Sequence, residues 1–186
     1  DYKYVDLILG KQCQTKMGRG GIRPLEFKTF SKEMQNAITN YCQAGGNFFV
    51  SGAYVASDLW DNRLVKANEE DKKFAMEVLK YKWRVGQAAR NGKVKSVASP
   101  FPEITGSYTY YQDLNPESYV VESPDALEPA AQGAFTILRY SENNLSAGIA
   151  YKGNYKTCVL GFPFEAIRTV TERELLMKAI LTFFEH

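Results

Sequence analysis

Ser51 is the first residue of chemical interest. It ends the apolar stretch Phe48-Phe49-Val50 and precedes Gly52, where a sharp strand-to-helix turn could display a nucleophile beside free backbone N–H donors. The stretch is not GxSxG, and strands also end in Ser-Gly for packing reasons alone. A serine or cysteine nucleophile needs a base within hydrogen-bond reach, because the neutral hydroxyl reacts poorly near neutral pH. The chain holds one histidine, His186, its last residue. No SxxK motif offers a lysine instead. Carboxylates for acid–base work could come from Asp58, Asp61 and Glu165, although acids close together on a helix are usually solvated. Catalysis, if present, therefore rests on Ser51, Glu165 and Asp58.

Other groups suit binding. Gly18-Arg19-Gly20-Gly21 could cradle an anion through backbone N–H groups, but it matches neither the P-loop nor GxGxxG. Tyr108, Tyr110, Tyr111 and Tyr119 could stack on a sugar or a partner if exposed, or fill a sheet if not. Cys13, Cys42 and Cys158 lack metal-ligand spacing, so no metal site is expected. They read as buried or half-buried thiols, with one disulfide and a spare thiol as the alternative.

Composition narrows the classes further. The 186 residues are 45% hydrophobic and 24% charged, which excludes a disordered or collagen-like chain. No apolar run approaches the roughly 18 residues that cross a bilayer. A net charge of +2 does not by itself imply nucleic acid. Residues 61–100 carry ten Lys or Arg against five acids, so a basic groove would need Lys72, Lys73, Lys80, Lys82 and Arg84 on one surface. Solvated faces of separate elements explain the same run, and no nucleic-acid partner is expected.

Periodicity places these residues. Tyr4–Gly10 reads as a strand buried on both faces. Ser31 N-caps a helix to about Ala44 that Gly45-Gly46 ends, and Asn47–Gly52 is a second buried strand. Together they form a βαβ unit with parallel strands. Helices follow at 53–60 and 68–80. Asn91-Gly92 predicts a hairpin between strands at 82–88 and 94–97. Further strands are expected at 106–111, 118–122, 135–140, 147–151 and 155–162. Thr171-Glu172-Arg173-Glu174 reads as the capping box of a last helix that buries Leu175, Leu176, Ile180 and Phe183. Ligands in open α/β sheets bind beyond the carboxyl ends of strands. The expected rim is Gly10, Arg19, Ser51, Gly52, Tyr54 and Phe162, with Glu165 close by.

Val5-Asp6-Leu7-Ile8-Leu9-Gly10, Gly45-Gly46-Asn47-Phe48-Phe49-Val50-Ser51-Gly52 and Val159-Leu160-Gly161-Phe162-Pro163-Phe164-Glu165 before a final helix together resemble the class I glutamine amidotransferase-like, flavodoxin-like superfamily. The likeness is to divergent forms in large bacterial extracytoplasmic proteins, some labelled xanthan lyase. It covers the two ends, roughly half the chain. In working amidotransferases the nucleophile is a Cys on an elbow, and His-Pro-Glu follows a late strand. The comparable positions here read Ser51-Gly52 and Phe162-Pro163-Phe164-Glu165, so the resemblance implies a degenerate site that keeps only Glu165. A strand and helix usually precede the first strand seen here. The resemblance thus implies a piece of a longer chain with an open sheet edge for the middle region or a partner to cover.

The expected fold is α/β: an open, mostly parallel flavodoxin-like sheet with helices on both faces, in one domain over 1–186, with an antiparallel strand-rich insertion at about 82–151. The expected function is a non-catalytic binding or structural module, without cofactor, beside other domains of a longer extracytoplasmic chain. The alternatives are a hydrolase acting from Ser51 and a carbohydrate-associated module using the tyrosines.

Overall fold

A computed structural model describes residues 2–16, 25–61 and 68–186. Its centre is a seven-stranded sheet. In spatial order the strands are β1 (Tyr4–Gly10), β4 (Asn47–Gly52), β11 (Lys156–Leu160), β10 (Ser146–Lys152), β9 (Ala134–Tyr140), β6 (Lys93–Ser96) and β7 (Ser107–Thr109). Two short ribbons complete the strands: β2 (Thr15–Lys16) with β3 (Leu25–Glu26), and β5 (Tyr81–Val85) with β8 (Ala126–Pro129).

Local sequence explains the first helices. Ser31 Oγ accepts from Met34 N and starts α1 (Lys32–Gln43), and Gly45 leaves it at φ +89°. Returning along α1 makes β4 parallel to β1, with Leu7 opposite Val50. Turn residues 53–56 lead into α2 (Ser57–Trp60), shorter than periodicity suggests. Asn68 caps α3 (Glu69–Phe74), which runs on as a π-helical turn, Ala75–Leu79. The last helix, α4, spans Val170–Glu185.

β4 and β11 lie inside the sheet and alternate between two cores. Phe48, Val50 and Val159 face Ile38 and Cys42 of α1, the π turn and the β5–β8 ribbon. Phe49, Cys158 and Leu160 face Leu176, Ile180, Phe183 and Phe184 of α4. Burial on both faces requires the near-continuous apolar runs that these strands show.

The flavodoxin-like expectation is corrected. The sheet is a mixed, curled half-barrel, and the chain is 27% helical and 30% strand, more β-rich than that fold. Only the β1–β4 and β4–β11 pairings are parallel. Short turns at Ser141–Asn144 and Gly153-Asn154 leave no room for crossover helices, so β9, β10 and β11 pair antiparallel. Two register shifts in the β9–β10 pair bend the sheet. The middle region is therefore not an insertion: it supplies β6, β7, β9 and most of β10, half of the main sheet.

Finer readings also change. β1 is an edge strand whose Asp6 and Ile8 are exposed, not a strand buried on both faces. Asn91-Gly92 does turn, with Gly92 at φ +61°, yet β5 pairs with β8 and β6 with β7 and β9, so no hairpin forms there. Residues 118–122 are irregular, and β8 was not foreseen. The capping box uses Thr169 and Glu172, and Leu175 is 58% exposed. All three cysteines are free, Cys42 and Cys158 buried and Cys13 partly so; burial pushes the Cys42 thiol up to about 12.

One buried carboxylate joins these layers. Asp125 is fully buried, and its Oδ2 accepts from Ala56 N and Ser57 N, both at 2.8 Å, and from Ser57 Oγ. Burial is the largest influence on its pKa and outweighs those bonds, raising it from 3.8 to about 7. The unfolded chain therefore ionises Asp125 first. The stability its neutral form contributes is whole below about pH 4 and is lost as pH rises to about 7. Urea-unfolding free energy should fall across that window, by about 1.4 kcal/mol per pH unit at most for one group. Asp125→Asn keeps a carbonyl acceptor and should show a shallower decline. Asp6, raised to about 6, adds a residual slope of the same sign. Equal slopes in the two proteins would refute this assignment.

Candidate functional site

The C-terminal ends of β1, β4 and β11 lie side by side. Gly10 pairs with Gly52, and Ser51 pairs with Leu160. Beyond β11 the chain turns at Pro163 into a 3-10 turn, Phe164–Ala166, which carries Glu165. Ser51 is fully buried, and its Oγ accepts from Phe164 N at 3.2 Å. The serine thus fastens the turn that presents Glu165.

Glu165 Oε1 accepts from the Tyr119 hydroxyl at 2.5 Å. Burial, then Glu165 itself, pushes the Tyr119 phenol upward and keeps it protonated as a donor. The backbone of Gly10 abuts this pair: a Cβ there would lie 3.3 Å from both Glu165 Oε1 and the Tyr119 oxygen, at φ +55°. Glycine is thus needed twice at this position. Lys11 fixes the tyrosine from outside. Its Nζ donates to Val120 O at 3.0 Å, pairs with Glu122, and stands 5.6 Å from the Tyr119 ring centre.

Beside Glu165 opens a cleft of about 420 Å³, lined by Ile8, Tyr111, Glu117, Ser118, Phe164, Glu165, Arg168 and Arg173. Tyr111 donates to Glu117, and Arg168 pairs with Asp113 while lying 5.0 Å from the Tyr111 ring centre. Arg173 donates to Ile167 O. These bonds hold planar polar groups around an apolar floor of Ile8 and Phe164. Glu165 Oε2 is buried in the wall and takes no hydrogen bond. A buried acceptor left unpaired is costly. Asp6 lies near enough for Glu165 to act on it. Burial first and Glu165 second raise its carboxyl from 3.8 to about 6.

The remaining residues singled out from sequence lie elsewhere or serve the scaffold. Asp58 Oδ1 accepts from Gln14 N and Oδ2 from Thr29 N, at 2.9 and 2.8 Å, so it ties two loops together and does not line the cleft. Tyr54 is half-buried near Cys13, Ser123 and Asp125. Phe162 is fully buried and stacks on Tyr110 at 4.9 Å. Tyr108, Tyr110 and Tyr111 are buried, so these rings offer no exposed stacking platform. Arg19 and its glycine loop lie outside the described residues. Lys72, Lys73 and Arg84 pair with Glu69, Glu77 and Glu128, which disperses the basic run. Among the described residues no three His, Cys, Asp or Glu side chains gather to hold a metal ion, and no helix is long and apolar enough to cross a membrane.

Sequence reasoning missed Asp6, Arg168 and Arg173. Asp6 had a signal, an acid inside an apolar strand. The arginines had none, because their role depends on where the 3-10 turn sits.

Two outcomes follow from this geometry. Glu165→Gln should lower the Asp6 pKa only part of the way toward 3.8, since burial remains the larger cause; NMR titration of the Asp6 carboxyl reads it directly. Ser51→Ala should cost about 1 kcal/mol in urea unfolding, the worth of one hydrogen bond. A Ser51→Ala protein as stable as the parent would show that the Phe164 contact does not hold the turn.

No protein-family model and no curated protein matches the chain. Among solved structures it is similar to a cold-adapted beta-galactosidase from Rahnella sp. R3, with TM-score 0.59 and 13% identity over 99% of this chain. The chain spans 23% of that protein's length. It is also similar to the mmIFT52 N-terminal domain, with TM-score 0.42 and 15% identity over 84% of this chain and 72% of that one. No family evidence supports a glutamine amidotransferase-like or xanthan lyase-related assignment, and the β-rich sheet overturns the flavodoxin-like fold that went with it. The beta-galactosidase comparison establishes likeness of fold.

Proposed function

We propose that this domain is a non-catalytic binding module of a larger protein and that its ligand seats in the Glu165 cleft. One observation carries the reading. Of the three side chains that sequence puts forward for catalysis, Ser51 and Asp58 are spent on backbone N–H groups, while Glu165 alone lines a cleft and keeps an unpartnered oxygen. The one imidazole, His186, sits exposed at the C-cap of α4. A module is further supported by the fold's occurrence as 23% of a longer chain.

A ligand seated there should suit planar polar groups set among apolar ones. A sugar fits that description, because Glu117, Glu165, Arg168 and Arg173 line the cleft together with Ile8 and Phe164. In NMR titrations against a panel of mono- and disaccharides, shifts should centre on Ile8, Glu165 and Arg168 and vanish in Glu165→Ala. A fluorophosphonate probe should leave Ser51 unlabelled. Stoichiometric labelling of Ser51, lost on denaturation, would replace this reading with the hydrolase.

A further inference from the structure

β1 carries a second surface, its open edge. The strand pairs with β4 alone and stands at one end of the main sheet. Asn47 N donates to Lys3 O at 3.3 Å, and backbone groups alternate in direction along a strand, so Lys3, Val5 and Leu7 turn their N–H and C=O toward β4. Tyr4, Asp6 and Ile8 therefore turn theirs away from the sheet, where no hydrogen bond to another described residue meets them. Proteins commonly protect an exposed edge with proline, lysine or a bulge, and residues 4–8 contain none of these. The side chains of Tyr4, Asp6 and Ile8 share the face toward α4 and the 3-10 turn. Tyr4 stacks on Phe184 at 5.8 Å, and Ile8, 51% exposed, borders the Glu165 cleft. Asp6 stands between them. Burial and then the nearby Glu165 raise its carboxyl, and neither acid makes an ion pair with a described residue. The arginines of the cleft are committed elsewhere, Arg168 to Asp113 and Arg173 to Ile167 O.

We propose that this edge takes up an extended segment of a partner polypeptide as an added strand, with a Lys or Arg of that segment opposite Asp6 and an apolar residue two positions to either side. The backbone selects a strand, because another extended chain offers donors and acceptors at the spacing that Tyr4, Asp6 and Ile8 present. Charge selects the central residue. A cross-strand neighbour of Asp6 projects on the same face, roughly 5 Å away, and meets two acids with no cation between them. Alternation selects the flanks: residues two away lie opposite Tyr4 and Ile8, whose aromatic and aliphatic side chains are partly exposed. A second copy of β1 carries Asp6 as its one charged residue within Tyr4–Gly10 and cannot supply the cation. Strand addition at this edge does not depend on what the Glu165 cleft binds.

Amide hydrogen exchange read by NMR tests this with two end-blocked peptides, Thr-Val-Thr-Lys-Thr-Val-Thr and the same sequence with Glu for Lys. In the free domain the Tyr4, Asp6 and Ile8 amides should exchange fast and those of Val5 and Leu7 slowly. On saturation the Lys peptide should slow exchange at Tyr4, Asp6 and Ile8 by roughly tenfold or more. The Glu peptide should not, and neither should a fully N-methylated Lys peptide, which keeps the side chains and loses the donors. Asp6→Asn should weaken the Lys peptide by about fivefold, the upper worth of an exposed ion pair, and leave the protection pattern intact. Glu165→Ala should leave the same three amides open to protection, so a failed sugar titration and a failed strand addition are told apart. No protection by the Lys peptide, or equal protection by the Glu peptide, would overturn the proposal. Amides already protected in a concentration-dependent dimer would give the edge to a second copy and overturn it too. Self-association of Asp6→Asn, without peptide binding by either form, would do the same and mark a charge that only guards the edge.

Discussion

Strands β4 and β11 have no solvent face, and most of the architecture follows from that constraint. From Phe48 to Val50 and from Cys158 to Leu160 every side chain is 1% exposed or less. Alternation sends neighbouring residues into opposite cores, so both sides of the sheet must be covered. The chain covers one side with α1, the π turn and the β5–β8 ribbon, and the other with α4 and the rings of Phe101, Tyr108 and Tyr110. β1 pairs with β4 on one side only and becomes an edge. That placement explains how an apolar strand keeps Asp6 and Ile8 exposed, and why both lie within reach of the Glu165 turn.

Within so dry a centre, each polar side chain must be matched or must remain neutral. Ser51 is matched by Phe164 N–H and Asp58 by two backbone donors. Asp125 accepts three bonds on one oxygen and still titrates near neutrality, because burial outweighs them. The same reasoning separates groups inside the scaffold from one at the edge of a cleft. Asp125 and Glu165 each keep one buried oxygen without a hydrogen bond, but Glu165 lines the cleft, and its other oxygen is held by Tyr119. Residue type alone ranks Ser51 above Glu165 as a functional residue; hydrogen bonding reverses the order.

Local signals were legible where local physics decides. Ser31 and Asn68 cap their helices, and the Ser141–Asn144 turn joins β9 to β10. Long-range choices were not. Two overlapping Thr-x-x-Glu boxes begin α4, at Thr169 and Thr171, and sequence cannot rank them. The first forms, and its Glu172 also accepts from Thr109 N at 3.1 Å on β7. Asn91-Gly92 supplies a turn without a hairpin because Trp83 of β5 pairs across to Leu127 of β8. The Tyr119–Glu165 bond spans 46 positions, and Asp125 reaches back 69 to Ala56. No window of sequence contains either contact. The apolar run of β1 was misread for a related reason: an edge strand and a central strand look alike until their neighbours are known.

A groove on the outer side of α4, between Val170 and Glu185, adjoins the cleft. Phe164 and Arg173 line both. Phe164 is fixed from behind by Ser51 and against Phe49, whose ring meets it edge-on at 5.8 Å. Arg173 is held by the carbonyl of Ile167, one residue beyond the turn that carries Glu165. Both surfaces therefore meet on the same short segment, 164–173, that sets the position of Glu165. The small 3-10 turn thus stands between two faces of the domain, and Ser51, buried beneath it, accepts the backbone N–H of Phe164.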